Sequence, residues 1–301
     1  MSPVFYGVDS MKIIFIFIDG FGIGEKDPAK NPIYAADAPH IRKMLDSESV
    51  FPTDACLGVP GLPQSATGQT AIFTGVNGAS VLGRHLNGQP TITLKNIINQ
   101  GNIFKTLTEN GFKVTYSNVY RDEYLNNLHV QKDRRLRPSV TTVMALSCGM
   151  KFRNVGDFVK GRGIYHDITG RIIADSGYDV QVITPVEAAR RLYRISRDYD
   201  FTLYEHFLSD IIGHKMDMGL AVKEIELLDA FLGELFRIAD IKKDIIFITS
   251  DHGNIEDITV KTHTCNKVPT VVSGRLPEGM KIEIASLLDI MPAVLRLFGI
   301  G

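Results

Sequence analysis

The sequence predicts an α/β domain built on a mostly parallel sheet with helices on both faces. Two apolar runs, at residues 13–18 and 245–249, are rich in Ile and Phe and do not alternate with polar residues. That pattern marks strands buried on both sides. Amphipathic helical segments alternate with such runs, as strand–helix–strand units require. Chemically capable residues then fall just after the predicted strands, where ligands gather in sheets of this kind. At 301 residues, with 44% hydrophobic and 22% charged side chains, the chain has the size and composition of one globular unit spanning 1–301. Wholesale disorder is excluded.

Residues 13–18 form the first predicted strand, ended by Asp19-Gly20-Phe21-Gly22. The first ten residues read as an extension without an assignable role. A helix is expected over 102–110, with Gly111 as its stop, then a strand over 112–118. Thr184-Pro185-Val186-Glu187 reads as a capping box with proline at the first helical position. Ala188, Ala189, Leu192 and Ile195 give the helix that follows one apolar face. A strand is predicted over 201–204. Val222, Ile225, Leu228, Leu232 and Leu235, at steps of three or four, predict a long amphipathic helix. Strands at 245–249 and 270–272 follow. Asp289, with Pro292 in the first turn, opens a last helix that Gly299 stops. Residues 120–183 break this rhythm and carry Arg121, Arg134, Arg135, Arg137, Arg153, Arg162 and Arg171. They are expected to form a small insertion over the active-site edge of the sheet.

Lys plus Arg number 33 and Asp plus Glu 34, a net charge of −1. This balance gives no support to a nucleic-acid partner engaged by general phosphate neutralisation. No apolar run approaches the roughly 20 residues of a membrane-spanning helix. Cys56, Cys148 and Cys265 are odd in number and distant in sequence, which points to a reducing compartment, here the cytoplasm.

Six acid and imidazole groups are expected at one rim of the sheet: Asp19, Asp210, His214, Asp251, His252 and His263. Asp210 and His214 stand four apart, on one face of a helical turn. Asp251 and His252 share a tight turn, in which Gly253 is expected to take an unusual backbone angle. Mixed carboxylate and imidazole donors suit Zn²⁺ or Mn²⁺ and suit Ca²⁺ poorly. His40, His129, His166 and His206 read as ordinary core or surface groups. Ser65 lies in the small, hydroxyl-rich stretch Gln64-Ser65-Ala66-Thr67-Gly68-Gln69-Thr70. It reads either as a plain N-cap or as a nucleophile beside free backbone amides, with Thr67 and Thr70 as alternatives.

Taken in order, Ile18-Asp19-Gly20-Phe21-Gly22, Gln64-Ser65-Ala66-Thr67-Gly68, Asp210-Ile211-Ile212-Gly213-His214, Ser250-Asp251-His252-Gly253-Asn254-Ile255-Glu256 and His263-Thr264 resemble motifs of the alkaline phosphatase superfamily. The branch they resemble most is that of the cofactor-independent phosphoglycerate mutases and phosphopentomutases. The resemblance implies an alkaline-phosphatase-like fold and two divalent metals. One metal takes Asp210, His214 and His263; the other takes Asp19, Asp251, His252 and the nucleophile Ser65. It also implies phosphoryl transfer through a phosphoserine, with a small phosphorylated metabolite as substrate. The interval from Gly68 to Asp210 is too short for a large mutase cap, and Gln64 and Gln69 stand where the mutases carry Asn and His. Hydrolysis of a phosphate monoester is therefore expected before mutase transfer, and a metal-binding protein without turnover comes last. Arg84 is the first candidate to bind the phosphate oxygens and Arg121 the second. Nothing in the sequence sets the oligomeric state.

Overall fold

A computed structural model describes residues 11–130 and 137–301. Its main sheet has six strands: β1 (Lys12–Ile18), β2 (Val50–Thr53), β3 (Val114–Tyr116), β4 (Phe201–His206), β5 (Asp244–Thr249) and β6 (Val268–Ser273), in the order β2-β6-β5-β1-β4-β3. The block β5-β1-β4-β3 is parallel. β6 runs antiparallel to β5, and β2 antiparallel to β6. The first ten residues and the expected Arg134 and Arg135 lie outside the described residues, as does the side chain of His129.

β1 shows why an unbroken apolar run is needed here. Successive side chains point to opposite faces, and both faces are covered. Ile13, Phe15 and Phe17 join one core with Phe73, Phe201 and Phe247. Ile14, Ile16 and Ile18 join the other with Leu192, Tyr204, Ile225 and Leu228. Helices α1 (Ser65–Thr74), α2 (Val140–Ser147) and α6 (Ile290–Leu297) supply buried residues to the first face. Helices α3 (Pro185–Ser196) and α5 (Met218–Ile238) supply the second. Between β4 and α5 lies the short α4 (Leu208–Gly213). Among the described residues, no helix is long and apolar enough to cross a membrane.

Several elements differ in detail from expectation. The strand predicted over 112–118 keeps regular pairing only in β3. Beyond it the Asn118 side chain replaces the ladder, accepting from Glu205 N at 2.8 Å and donating to Glu205 O at 2.7 Å. At α3, Thr184 caps Glu187 N at 3.1 Å, but the Glu187 carboxylate turns to Arg194 at 2.8 Å, so only half of the box forms. Asp289 does not cap α6; its carboxylate reaches back to the amides of Ala285 and Ser286.

The interval predicted as an insertion is mixed. Val119–Tyr120 pairs with Arg153–Asn154, and Val119, Val155, Phe158, Tyr165 and Ile173 form a separate small core. Yet α2, inside the same interval, buries Val140, Val143, Met144 and Ala145 in the main core. Two of the interval's arginines have structural partners: Arg153 binds Thr115 Oγ1 at 2.7 Å, and Arg162 pairs with Asp157 at 2.6 Å.

Candidate metal centre and nucleophile

The carboxyl ends of β1, β4 and β5 lie side by side, because these strands are parallel neighbours in register. Asp19 leaves β1 and Asp251 and His252 leave β5. Asp210 and His214 are carried by α4, one turn after β4. His263 precedes β6, yet it reaches the same rim because β6 is antiparallel. An isolated bridge between Gly253 and Thr264 draws its loop onto the Asp251-His252 turn.

These elements can approach so closely because glycine replaces side chains at the contacts. A Cβ on Gly20, which has φ +66°, would lie 2.8 Å from Asp210 Cβ, and one on Gly68 would lie 2.7 Å from Asp251 O. Gly253 serves in the same way and not through an unusual angle. It is absent from the positive-φ residues, and its Cβ would meet Glu256 and Thr264 side-chain oxygens at 2.2 and 2.3 Å.

His263 Nε2 lies 3.3 Å from Asp210 Oδ1, His214 Nε2 3.4 Å from Asp210 Oδ2, and the two Nε2 atoms 3.1 Å apart. His252 Nε2 lies 3.3 Å from Asp19 Oδ1 and 3.6 Å from Asp251 Oδ2. The His252 and His263 rings stack at 3.7 Å. Two sets of donor atoms converge tightly: Asp210, His214 and His263, and Asp19, Asp210 and His252. Asp210 therefore stands between the sets. Asp251 adds a carboxylate beside His252 while accepting from Gly20 N at 3.3 Å and Gln69 Nε2 at 3.2 Å.

This arrangement fits divalent cations. All three imidazoles turn Nδ1 toward a backbone carbonyl: His214 to Lys261 at 2.7 Å, His263 to Pro63 at 2.8 Å and His252 to Gly253 at 3.4 Å. Donation there would leave each Nε2 lone pair facing the cluster, the arrangement that orients metal-bound histidines. Asp19 Oδ1 is buried without a hydrogen-bond partner in good geometry. Charge balance agrees. Burial, and then the neighbouring Asp251, push Asp19 well above the usual carboxylate range, and burial raises Asp251 as well. Burial alone would raise Asp210, but hydrogen bonding to His263 and the charge of His252 bring it down to about 2. Burial works against a charged His252, yet Asp251 and Asp19 push it up to about 10. Without a cation, the imidazolium is the charge that balances the crowded acids.

Ser65 is the first residue of α1, and its Oγ lies 3.1 Å from His252 Nε2. It is not the N-cap; that position is Gln64, whose side chain caps nothing. Thr67 donates to Gln64 O at 3.1 Å and Thr70 to Ala66 O at 2.6 Å, so both alternative hydroxyls are spent inside the helix. The amide next to Ser65 is also spent, on Leu86 O at 3.1 Å, and cannot serve the free-amide role expected of it. Ser65, Asp19 and Asp210 border a cavity of about 450 Å³. Arg121 and Arg137 line it as well. Arg84 is exposed and does not line it; Asn87, Gly88 and Gln89 come to the wall instead.

A family model described as the metalloenzyme superfamily matches residues 11–301. The chain belongs to the metalloenzyme superfamily. The matched segment spans only about a fifth to a third of the length of the curated relatives. This metalloenzyme is 30% identical over 108 residues to a 2,3-bisphosphoglycerate-independent phosphoglycerate mutase of Desulforudis audaxviator, over 34% of this chain and 21% of that protein. Two solved structures share its fold. The PH0037 protein of Pyrococcus horikoshii has a TM-score of 0.60 at 15% identity, covering 97% of this chain and 98% of that one. The alkaline phosphatase of the Antarctic bacterium TAB5 has a TM-score of 0.54 at 13% identity, covering 96% and 99%.

The candidate site of this metalloenzyme also contains residues that the sequence did not single out. Gln69 donates to both Asp19 and Asp251, at 3.3 and 3.2 Å. Glu256 accepts from Gly22 N at 3.0 Å, Asn254 N at 2.7 Å, Asn266 Nδ2 at 3.0 Å and the Thr264 hydroxyl, which ties three rim loops together. Its place in the Asp-His-Gly-Asn-x-Glu stretch was the available signal. Buried Glu205 reaches the cavity wall beside Tyr116 and accepts from the hydroxyls of Tyr116 and Thr141, and no sequence signal separated it from its strand. His166 also reaches this wall, where burial pushes it down to about 3 and keeps the ring neutral against Phe207 at 3.9 Å. His206 stays in the core beside Glu224, at 3.1 Å.

Proposed function

We propose that the chain is a metal-dependent phosphoryl-transfer enzyme that hydrolyses a small phosphate monoester through a phosphoserine at Ser65. The observation that carries this reading is the Ser65 hydroxyl, 3.1 Å from His252 Nε2 and bordering a cavity that Asp19 and Asp210 also line. Asp210, His214 and His263 would hold one cation, and Asp19, Asp251 and His252 the other, with Asp210 close to both. Two such ions, Mn²⁺ or Zn²⁺, would lower the serine pKa and neutralise charge on the phosphoryl oxygens. Gln69 keeps the Asp19 and Asp251 carboxylates aligned beneath the hydroxyl. Arg121 and Arg137 offer guanidinium groups to the oxygens of the bound ester. The unpaired cysteines support a cytoplasmic setting.

Phosphate release from an aryl phosphate, with Mn²⁺ or Zn²⁺ supplied, tests the reading. Ser65→Ala should lower turnover by on the order of 10³-fold or more while the protein still binds metal. Peptide mapping of a quenched reaction should find phosphate on Ser65. Metal binding without any turnover would leave a binding protein only. The mutase relative favours a second reading, in which the phosphoserine returns its group to another hydroxyl. Conversion of 3-phosphoglycerate without release of inorganic phosphate would establish that reading over hydrolysis.

A further inference from the structure

Among the described residues, six rings line the cavity beside Ser65: Tyr116, Tyr120, Tyr124, Tyr165, His166 and Phe207. They fall into two packed sets. In one, Tyr120 lies against Tyr124 with ring centroids 5.1 Å apart and planes at 11°, and Tyr116 follows Tyr120 at 6.1 Å. Phe152, which does not line the cavity, supports Tyr120 edge-on at 5.1 Å. In the other set, His166 lies against Phe207 at 3.9 Å and against Tyr165 at 4.1 Å. Tyr120, Tyr124, His166 and Phe207 are only half-buried. Two of the tyrosine hydroxyls are already engaged: Tyr120 shares a hydrogen bond with Thr142 at 2.7 Å, and Tyr116 donates to Glu205. These residues therefore offer the cavity ring surface more than donors. Phe207 precedes the donor Asp210 by three residues, so the aromatic wall adjoins the donor cluster. His166 Nδ1 is buried and finds no hydrogen-bond partner among the described residues, which leaves one polar atom for the edge of a ring.

A three-carbon acid phosphate carries nothing flat for such a wall to cover. A planar ring does, since aromatic groups stack offset or edge-on at centroid separations of roughly 4.5–7 Å. The cavity of about 450 Å³ also falls within the roughly 300–1,000 Å³ of sites that enclose ring-bearing small molecules. We propose that the site takes phosphate monoesters whose alcohol part carries a planar ring, held by Tyr120, Tyr124, His166 and Phe207. This substrate class rests on the phosphomonoester reading of the site. Hydrolysis of such an ester consumes one water, breaks the bond between phosphorus and the alcohol oxygen, and releases the ring-bearing alcohol and inorganic phosphate.

Two matched pairs test the proposal on the whole chain supplied with Mn²⁺: AMP against ribose 5-phosphate, and 2-phenylethyl phosphate against ethyl phosphate. Within each pair the phosphate sits on a primary alcohol, so leaving-group reactivity is similar and the ring is the main difference. In at least one pair the ring-bearing ester should have a kcat/KM higher by about 10-fold or more, as stacking of a base on aromatic side chains supplies. A preference in the first pair alone would identify a nucleobase as the ring, and in the second alone a simple aryl group. Tyr124→Leu and Phe207→Leu should each narrow the ratio several-fold. Titration calorimetry with Mn²⁺-loaded Ser65→Ala should show the same preference in Kd. Equal Kd values within both pairs, or a ratio that neither substitution changes, would overturn the proposal even if all four esters were hydrolysed. A preference in Kd with no phosphate released by the wild-type protein would instead overturn the hydrolysis reading and leave the ring site standing.

Discussion

The rim and the roof of the cavity are built differently. At the rim, Asp19, Asp251 and His252 come just after the ends of buried strands, and Asp210 follows β4 by a few residues. Their carboxylates and rings brace one another through Gln69, Asn254 and Glu256. At the roof, Arg121 and Arg137 are exposed, and Arg121 lies two residues from Val119 of the small core around Phe158, while Arg137 precedes Val140 of the main core. A group fixed by the main sheet is over-determined, whereas one placed by a small satellite core depends on few contacts. The rim is suited to chemistry that tolerates little displacement, and the roof to selection among substrates.

Phe158→Ala would break the comparison most severely if the two regions were one unit. Phe158 is fully buried and lies under the Arg191 guanidinium. Its loss should destabilise the roof by about 3–5 kcal/mol, while metal stoichiometry by elemental analysis stays unchanged. Loss of metal together with the roof would show that the rim is not self-supporting.

Glu256→Gln attacks the rim without touching a metal ligand. Removing the charge that gathers Gly22, Asn254 and Thr264 should weaken metal binding by about 10- to 100-fold in competition with a chromogenic chelator. Arg121→Ala and Arg137→Ala address the roof. Each should raise KM by about 10-fold, as loss of a charged hydrogen bond does, with metal affinity unaltered. A fall in kcat alone would instead place that arginine at the reacting phosphoryl group.

The smallest perturbation changes only pH. In metal-free protein His252 is held at about 10, above its ordinary 6.5. Its stabilising contribution is complete below about 6.5 and is lost as pH rises through about 10. The raised Asp19 and Asp251 act in the same direction, because their charged forms are disfavoured in the fold. The Tm of the chelator-treated protein should therefore decline from neutral pH to pH 10. Metal affinity should increase over the same interval, because protons and cations compete for His252. Parallel Tm curves with and without metal would contradict this.

The legible parts share one property, which is that local pattern sufficed. β1 and β5 were visible because burial on both faces demands unbroken apolar runs. Asp210 and His214 were visible as a pair because a helical turn fixes their common face. β2 and α2 were missed because short, edge or all-round buried segments carry no clear period. Arg84 is near Ser65 in sequence, but the turn after α1 brings residues 87–89 to the cavity instead.

By itself the sequence determined which groups could do chemistry, since residue type and strand-end position are local properties. It also determined the two-faced character of the central strands. Tertiary structure decided how His263 reaches their rim, because the antiparallel direction of β6 brings the start of that strand to the ends of its neighbours. It decided as well that Asp210 stands between both donor sets and that Arg121 and Arg137 reach the cavity. Such contacts join residues far apart in the chain, and their geometry is set by sheet order and register, which no local pattern encodes.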